Sequence, residues 1–336
     1  MVNKELLQAL FVSHLADLKD VFPKAESFIC PICLSEFTQE DISSENISHG
    51  HVWPKYIRKK SSSKIATLQR VLLCKKCNST AGSRGDEAMR IREQLKENYK
   101  AGIFEGRRIE IIRELGEKPI VLQADFKLRT GDTVSGSISF VVNKRTGVWK
   151  YNNPEERDKF LSITDGKDKF TVIIYPPDGV KSEFAPVGWI TGAYLLAFYT
   201  FGYRYIFHES SDIVRQYILD SFDDTKRASL TIPTLENFSL TECKEHYYSD
   251  PEINIAVPLD GKSPVHLQIN YLDYHIILPF HFIPNILLQV LTNVPEFKEL
   301  AKKALENDAH LFVRIEYNKS IAHNCLWDYV LGKPIQ

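Results

Sequence analysis

The stretch ISHGHVWPKYI, Ile47 to Ile57, places two histidines, His49 and His51, two positions apart ahead of a Trp53-Pro54 corner. Imidazole titrates near neutrality, so such a pair suits proton transfer or metal ligation, and equally a packed hydrogen-bonding role. Cysteine pairs stand on both sides: Cys30-Pro31-Ile32-Cys33 before it and Cys74-Lys75-Lys76-Cys77 after it. Two thiolates separated by two residues hold one side of a tetrahedral zinc, and two such pairs close a four-thiolate site. Structural Zn2+ is therefore expected on Cys30, Cys33, Cys74 and Cys77, folding a segment that has little apolar material of its own. A closed site of that kind explains folding and leaves the chemistry to other residues. Cys243 and Cys325 stand alone and read as small buried hydrophobes.

The insertion between the cysteine pairs is basic. Lys55, Arg58, Lys59, Lys60, Lys64 and Arg70 lie in it, and no acid follows before Asp86. A local positive field of this sort suits a phosphate backbone. The chain as a whole carries a net charge of -1, so its average composition announces no polyanionic partner.

At 336 residues and 43% hydrophobic the chain can bury a large core and holds about two domains. The start, MVNKELLQALFVSHLADLKD, reads as a short amphipathic helix packing on the body, without the features of a signal peptide. No apolar run is long enough to span a bilayer. The expected location is the cytoplasm, where paired cysteines hold metal more often than they form disulfides.

The second cysteine pair leads into NSTAG and the helical pattern DEAMRIREQLKENY. Beyond Gly106 the pattern turns to strands: RIEIIRELG, PIVLQADFKLR, SGSISFVVNK and KFTVIIYPP. A long apolar helix follows, WITGAYLLAFYTFGYRYIF, with a break expected near Gly202, and then an amphipathic helix in SSDIVRQYILDSF. PEINIAVPLD, PVHLQINYLDYHIILPF and HLFVRIEYN read as strands, with a shorter helix between Pro295 and Asn307. The fold class is α+β. The expected organisation is an N-terminal helix over 1–27, a small zinc-stapled module over 28–103, and a larger mixed domain with a buried central helix over 104–336.

Taken in order, CPIC, ISHGHVWPKYI and LLCKKCNSTAGSRGD resemble an HNH endonuclease module of the ββα-metal type, in its branch where two CxxC knuckles bracket the active hairpin. The resemblance covers residues 28 to 90. GWITGAYLLAFYTFGYRYIF is similar to a segment that follows such modules in some bacterial proteins, which implies a shared architecture and no activity.

The resemblance implies a metal-dependent DNA endonuclease. His51 falls on the family's general base, which takes a proton from the water attacking the phosphate. Asn78 falls on a ligand of a catalytic divalent ion, usually Mg2+, which stabilises the departing oxygen. Gly50 stands where many members carry a further ligand, and Gly82 where some do. His49 is the neighbouring candidate for that metal, although residues i and i+2 of a strand share a face and so do not replace i−1. Asp86 is the alternative on the helix. Lys55, Arg58, Lys59, Lys60 and Lys64 are expected to neutralise DNA phosphates. Trp53 and Pro54 are expected to shape the corner and pack on the cysteine knuckle.

Two other readings stand beside this one. In the first, the segment is a non-catalytic zinc-stapled nucleic-acid-binding module, a reading that Gly50 favours. In the second, the large domain senses a signal and the nuclease is its output. The architecture suits restriction or anti-phage defence. A homo-oligomer or a defence-system partner remains open. His208, His246, His266, His275, His281, His310 and His323 lack ligand spacing and read as structural.

Overall fold

The computed structural model describes residues 4–61, 64, 66, 69–101, 103–112, 120–130, 138–141, 171–174, 185–223, 225–226, 239–243, 246–258, 265–280 and 310–315. The expected helix between Pro295 and Asn307, together with His281, His323 and Cys325, lies outside them. The chain divides into two compact units, residues 1–86 with 186–336, and residues 87–185. Helices and small antiparallel sheets occur in both, an α+β mixture.

In the first unit, helix α1 (Lys4–Lys19) buries Leu7, Phe11, His14 and Leu18. Strands β1 (Phe28–Ile29) and β2 (Glu36–Phe37) pair around the first cysteine turn, in which Leu34 takes a φ of 60°. Strand β3 (Ile47–His51) pairs antiparallel with β4 (Arg70–Cys74), from Ile47 opposite Cys74 to His51 opposite Arg70. The basic helix α2 (Lys55–Ser61) lies in the connection between them. Helix α3 (Lys75–Ala81) starts directly from β4 and runs into a π-helical turn, Gly82–Asp86.

The apolar sequence after residue 185 forms α5 (Ala185–Phe201), which is buried on nearly all sides. A helix that is apolar all round has to be a core element, because no face of it suits water. It breaks where expected: Gly202 adopts a φ of 67°, a conformation that costs a side-chain-bearing residue energy, and α6 (Tyr203–Ile206) follows. Helix α7 (Glu209–Phe222) is capped by His208, whose Nδ1 accepts from the Ser210 amide at 3.2 Å. The largest sheet of this unit has five antiparallel strands among the described residues. They are β9 (Ser239–Glu242), β10 (Tyr248–Pro258), β11 (His266–Leu272), β12 (Tyr274–Pro279) and β13 (His310–Ile315), in the order β13-β10-β11-β12-β9. The continuous apolar run PVHLQINYLDYHIILPF is thus two strands folded back at Leu272, whose φ is 54°.

The second unit contains α4 (Glu87–Ala101) and a four-stranded antiparallel sheet. Its strands are β5 (Ile103–Ile112), β6 (Ile120–Thr130), β7 (Ile138–Val141) and β8 (Thr171–Ile174), ordered β7-β6-β5-β8.

Candidate functional site

Two local structures bring the four cysteines together. The first pair sits in the turn between β1 and β2, where Cys30 N–H donates to Ser35 O and Leu34 N–H to Cys30 O, each at 2.9 Å. The second pair spans the junction of β4 and α3, and Cys74 Sγ caps that helix by accepting from Cys77 N–H at 3.3 Å. The four sulfurs of Cys30, Cys33, Cys74 and Cys77 all lie within 4.8 Å of one another, and Cys33 Sγ is 3.8 Å from Cys74 Sγ. Sulfurs about 2.3 Å from a tetrahedral zinc stand about 3.8 Å apart, so the set fits such an ion.

Thiols this close compete for protons. Hydrogen bonds from the other three hold Cys33 far below the usual thiol range, and those from Cys30 above all lower Cys74 to about 7. Cys30 and Cys77 are pushed up, chiefly by the thiols bonded to them. A divalent cation relieves this frustration, because all four can then ionise.

The core of the unit also grips the first knuckle. Tyr194, buried on α5, donates its hydroxyl to Pro31 O at 2.7 Å, and Tyr203 donates to Ile29 O. Neither tyrosine is foreseeable from the sequence, in which both sit in an apolar run with no local mark of a partner.

Beyond the cysteines, the β3–β4 hairpin presents two different faces. His49 and His51 share one of them, their rings in edge-to-face contact with centroids 5.9 Å apart. Arg70 is the cross-strand partner of His51 and so projects from the same side. Both histidines are partly buried. His51 is pushed down to about 4, first by desolvation and then by Arg58, Arg70 and His49. His49 is lowered by desolvation and by Arg70. Both rings are therefore neutral at neutral pH. His51 Nδ1 is buried and has no hydrogen-bond partner among the described residues. The strand is anchored from outside by His14, whose Nε2 accepts from Leu72 N–H at 3.1 Å.

Ser48 and Gly50 belong to the opposite face, and Asn78 lies there. Its Nδ2 donates to Ser48 Oγ at 3.0 Å and to His49 O at 3.3 Å, tying α3 to the hairpin. A Cβ on Gly50 would meet Leu73 Cδ1 at 2.8 Å and Asn78 Oδ1 at 2.9 Å. Glycine at position 50 is thus a requirement of close packing, and this face has no room for a ligand side chain there.

A hard divalent ion needs several convergent oxygen donors. Among the described residues, the four cysteines are the one group of three or more His, Cys, Asp or Glu side chains that converges. Around His51 the described residues offer no convergent group of that size, and the candidate ligands His49 and Asn78 stand on opposite faces of the hairpin. Asp86 is partly buried in the π-helical turn. Desolvation pushes its carboxyl up to about 7 against the pull of Arg58.

The basic residues divide by exposure. Lys55, Lys59 and Lys64 are exposed, and Lys60 Nζ lies 5.4 Å from the centre of the Tyr56 ring. Arg58 turns inward, its Nε donating to Trp53 O at 2.9 Å. The Trp53 ring packs into the core of the unit. It is fully buried against Trp189 and Tyr271, at ring separations of 5.7 and 4.8 Å. A flat aromatic side chain at the end of β3 thus seats the hairpin on α5 and β11. Arg70 is the residue that sequence reasoning overlooked as a site member. It is visible in the basic run, but its placement opposite His51 depends on strand register.

No protein-family model matches the chain, and no curated protein or solved structure is significantly similar to it.

Proposed function

We propose that this protein is an HNH-type endonuclease that hydrolyses DNA phosphodiester bonds, with His51 as general base and the four cysteines holding a structural zinc. The observation that carries the reading is the hairpin itself. It presents a neutral, half-buried imidazole beside two arginines, next to a four-thiolate cluster, in the order of elements CxxC, β-strand, β-strand, CxxC, helix. An unprotonated imidazole can accept a proton from water, and an anion neutralising Arg58 and Arg70 removes part of the repulsion that depresses its basicity. The exposed lysines of α2, Lys55 and Lys59, lie one helical turn apart and provide non-specific phosphate contacts. Restriction or defence against foreign DNA is the setting that such an activity suits.

The tight packing of Gly50 on Asn78 favours a second reading, a zinc-stapled DNA-binding module without hydrolysis. Plasmid cleavage by zinc-loaded protein, with and without magnesium, separates the two. Wild type should cut, and His51→Ala should lose about 10² to 10⁴ in rate while keeping its zinc, fold and DNA affinity. Wild-type cleavage by His51→Ala would overturn the His51 mechanism. DNA binding by the wild type without cleavage would establish the second reading.

A further inference from the structure

The face of the hairpin that carries His51 gathers positive charge, and among the described residues no acid pairs with Arg70. Arg70 stands directly across the ladder from His51, and Arg58 reaches the same neighbourhood from α2. The guanidinium of Arg70 forms no hydrogen bond or ion pair among the described residues. Arg58 spends Nε on a main-chain oxygen, and among the described residues the carboxylate acting on it is Asp86. The two arginines also repel each other. Clustering unpaired cations on a partly buried face opposes folding, so the arrangement calls for an anion that arrives from outside.

We propose that Arg70, with Arg58 beside it, forms an oxyanion subsite on the His51 face that receives a non-bridging oxygen of a phosphodiester backbone. The inference rests on the nuclease reading for its catalytic consequence but not for binding. A guanidinium offers two parallel N–H donors on a rigid plane, which matches the paired oxygens of a phosphate better than an ammonium does. Position favours phosphate over an acidic peptide. Lys55 and Lys59 are exposed on the helix that carries Arg58, and a nucleic-acid strand offers such cations regularly spaced charges. A phosphate held by Arg70 would also lie beside His51, the group proposed to activate water.

The test uses the full-length, zinc-loaded protein and a short DNA duplex. Affinity is measured by fluorescence anisotropy over a range of NaCl concentrations, alongside plasmid cleavage. Arg70→Gln should keep its zinc, bind about tenfold more weakly at low salt, and reduce the slope of log affinity against log salt by about 0.9, the share of one phosphate contact. Its cleavage rate should fall by about 10², the usual loss on removing one donor to a developing oxyanion. Arg70→Lys should keep the salt slope yet cut at least about tenfold more slowly, because it retains charge without the fork.

Wild-type affinity and slope in Arg70→Gln would overturn the subsite, even if His51→Ala abolished cleavage. A reduced slope in Arg70→Gln from a wild type that never cuts would refute the nuclease and leave the subsite standing. Equal competition by polyglutamate and by unlabelled DNA would overturn its assignment to phosphate. Should Arg70→Gln fail to fold, Arg70→Lys decides alone, and full wild-type cleavage by it would refute the role of the fork.

Discussion

Gly192→Ala tests whether the hairpin is seated on the central helix. Gly192 lies within α5, where an exchange for alanine would ordinarily stabilise the helix by about 1 kcal/mol. Here the added methyl would meet Trp53 Cζ3 at 2.5 Å and Cε3 at 2.7 Å, nearly an ångström inside the 3.4 Å at which ordinary contact begins. The ring has no free direction. It is fully buried and held by Trp189 and Tyr271. Overpacking a core costs about 1 to 3 kcal/mol, and a rigid aromatic obstacle places this case at the upper end. The net expectation is a destabilisation of about 2 kcal/mol, a fall of roughly 5 °C in Tm for a domain of this size.

The assay is urea denaturation of Gly192→Ala, Trp53→Phe and the double variant. Trp53 Nε1 has no hydrogen-bond partner among the described residues, so phenylalanine loses packing area without stranding an acceptor there. Because the smaller ring removes the obstacle, the two changes should couple by about 1 to 2 kcal/mol in the favourable direction. Gly192→Ala that is neutral or stabilising, or a strictly additive double variant, would refute this account of the contact.

Purified protein should carry one zinc per chain, and Cys74→Ser, which removes a thiolate ligand while leaving a hydroxyl able to cap α3, should yield protein without zinc and without the folded knuckles. Soluble, folded wild type that is free of zinc by metal analysis would rule out the ion. Asp86 should impose a pH dependence on stability. Its folded pKa of about 7 exceeds the ordinary 3.8, so the protonated native form is favoured: the contribution is complete below about pH 4 and is lost as pH rises through 7. The upper bound on that loss is about 4 kcal/mol. Asp86→Asn should therefore match the wild type near pH 4 and be more stable at pH 8. Equal stability of the two at pH 8, in thermal or urea unfolding, would contradict the assignment.

Much of the architecture can be read locally. The buried helix at 185–201 is legible because its apolar residues leave no polar stripe, and the break at Gly202 because one residue type tolerates its conformation. The cysteine set is legible because a CxxC turn places two sulfurs on one side of a metal whatever surrounds it. The shared face of His49 and His51 follows from the two-residue period of a strand. Tertiary structure decided the rest. Arg70 faces His51 only through the register of two strands with a helix between them, and no periodicity within either strand encodes that register. Asn78 can be a ligand or a clamp by type, and only the folded structure shows its Nδ2 tied to Ser48 and His49. Gly50 reads as a missing ligand in the sequence and proves to be the space that Asn78 and Leu73 occupy. Trp53 meets Gly192, and Tyr194 meets Pro31, across long stretches of chain. Chelation and periodicity act between near neighbours and leave marks in the order of residues, whereas register and packing arise when distant segments exclude water together.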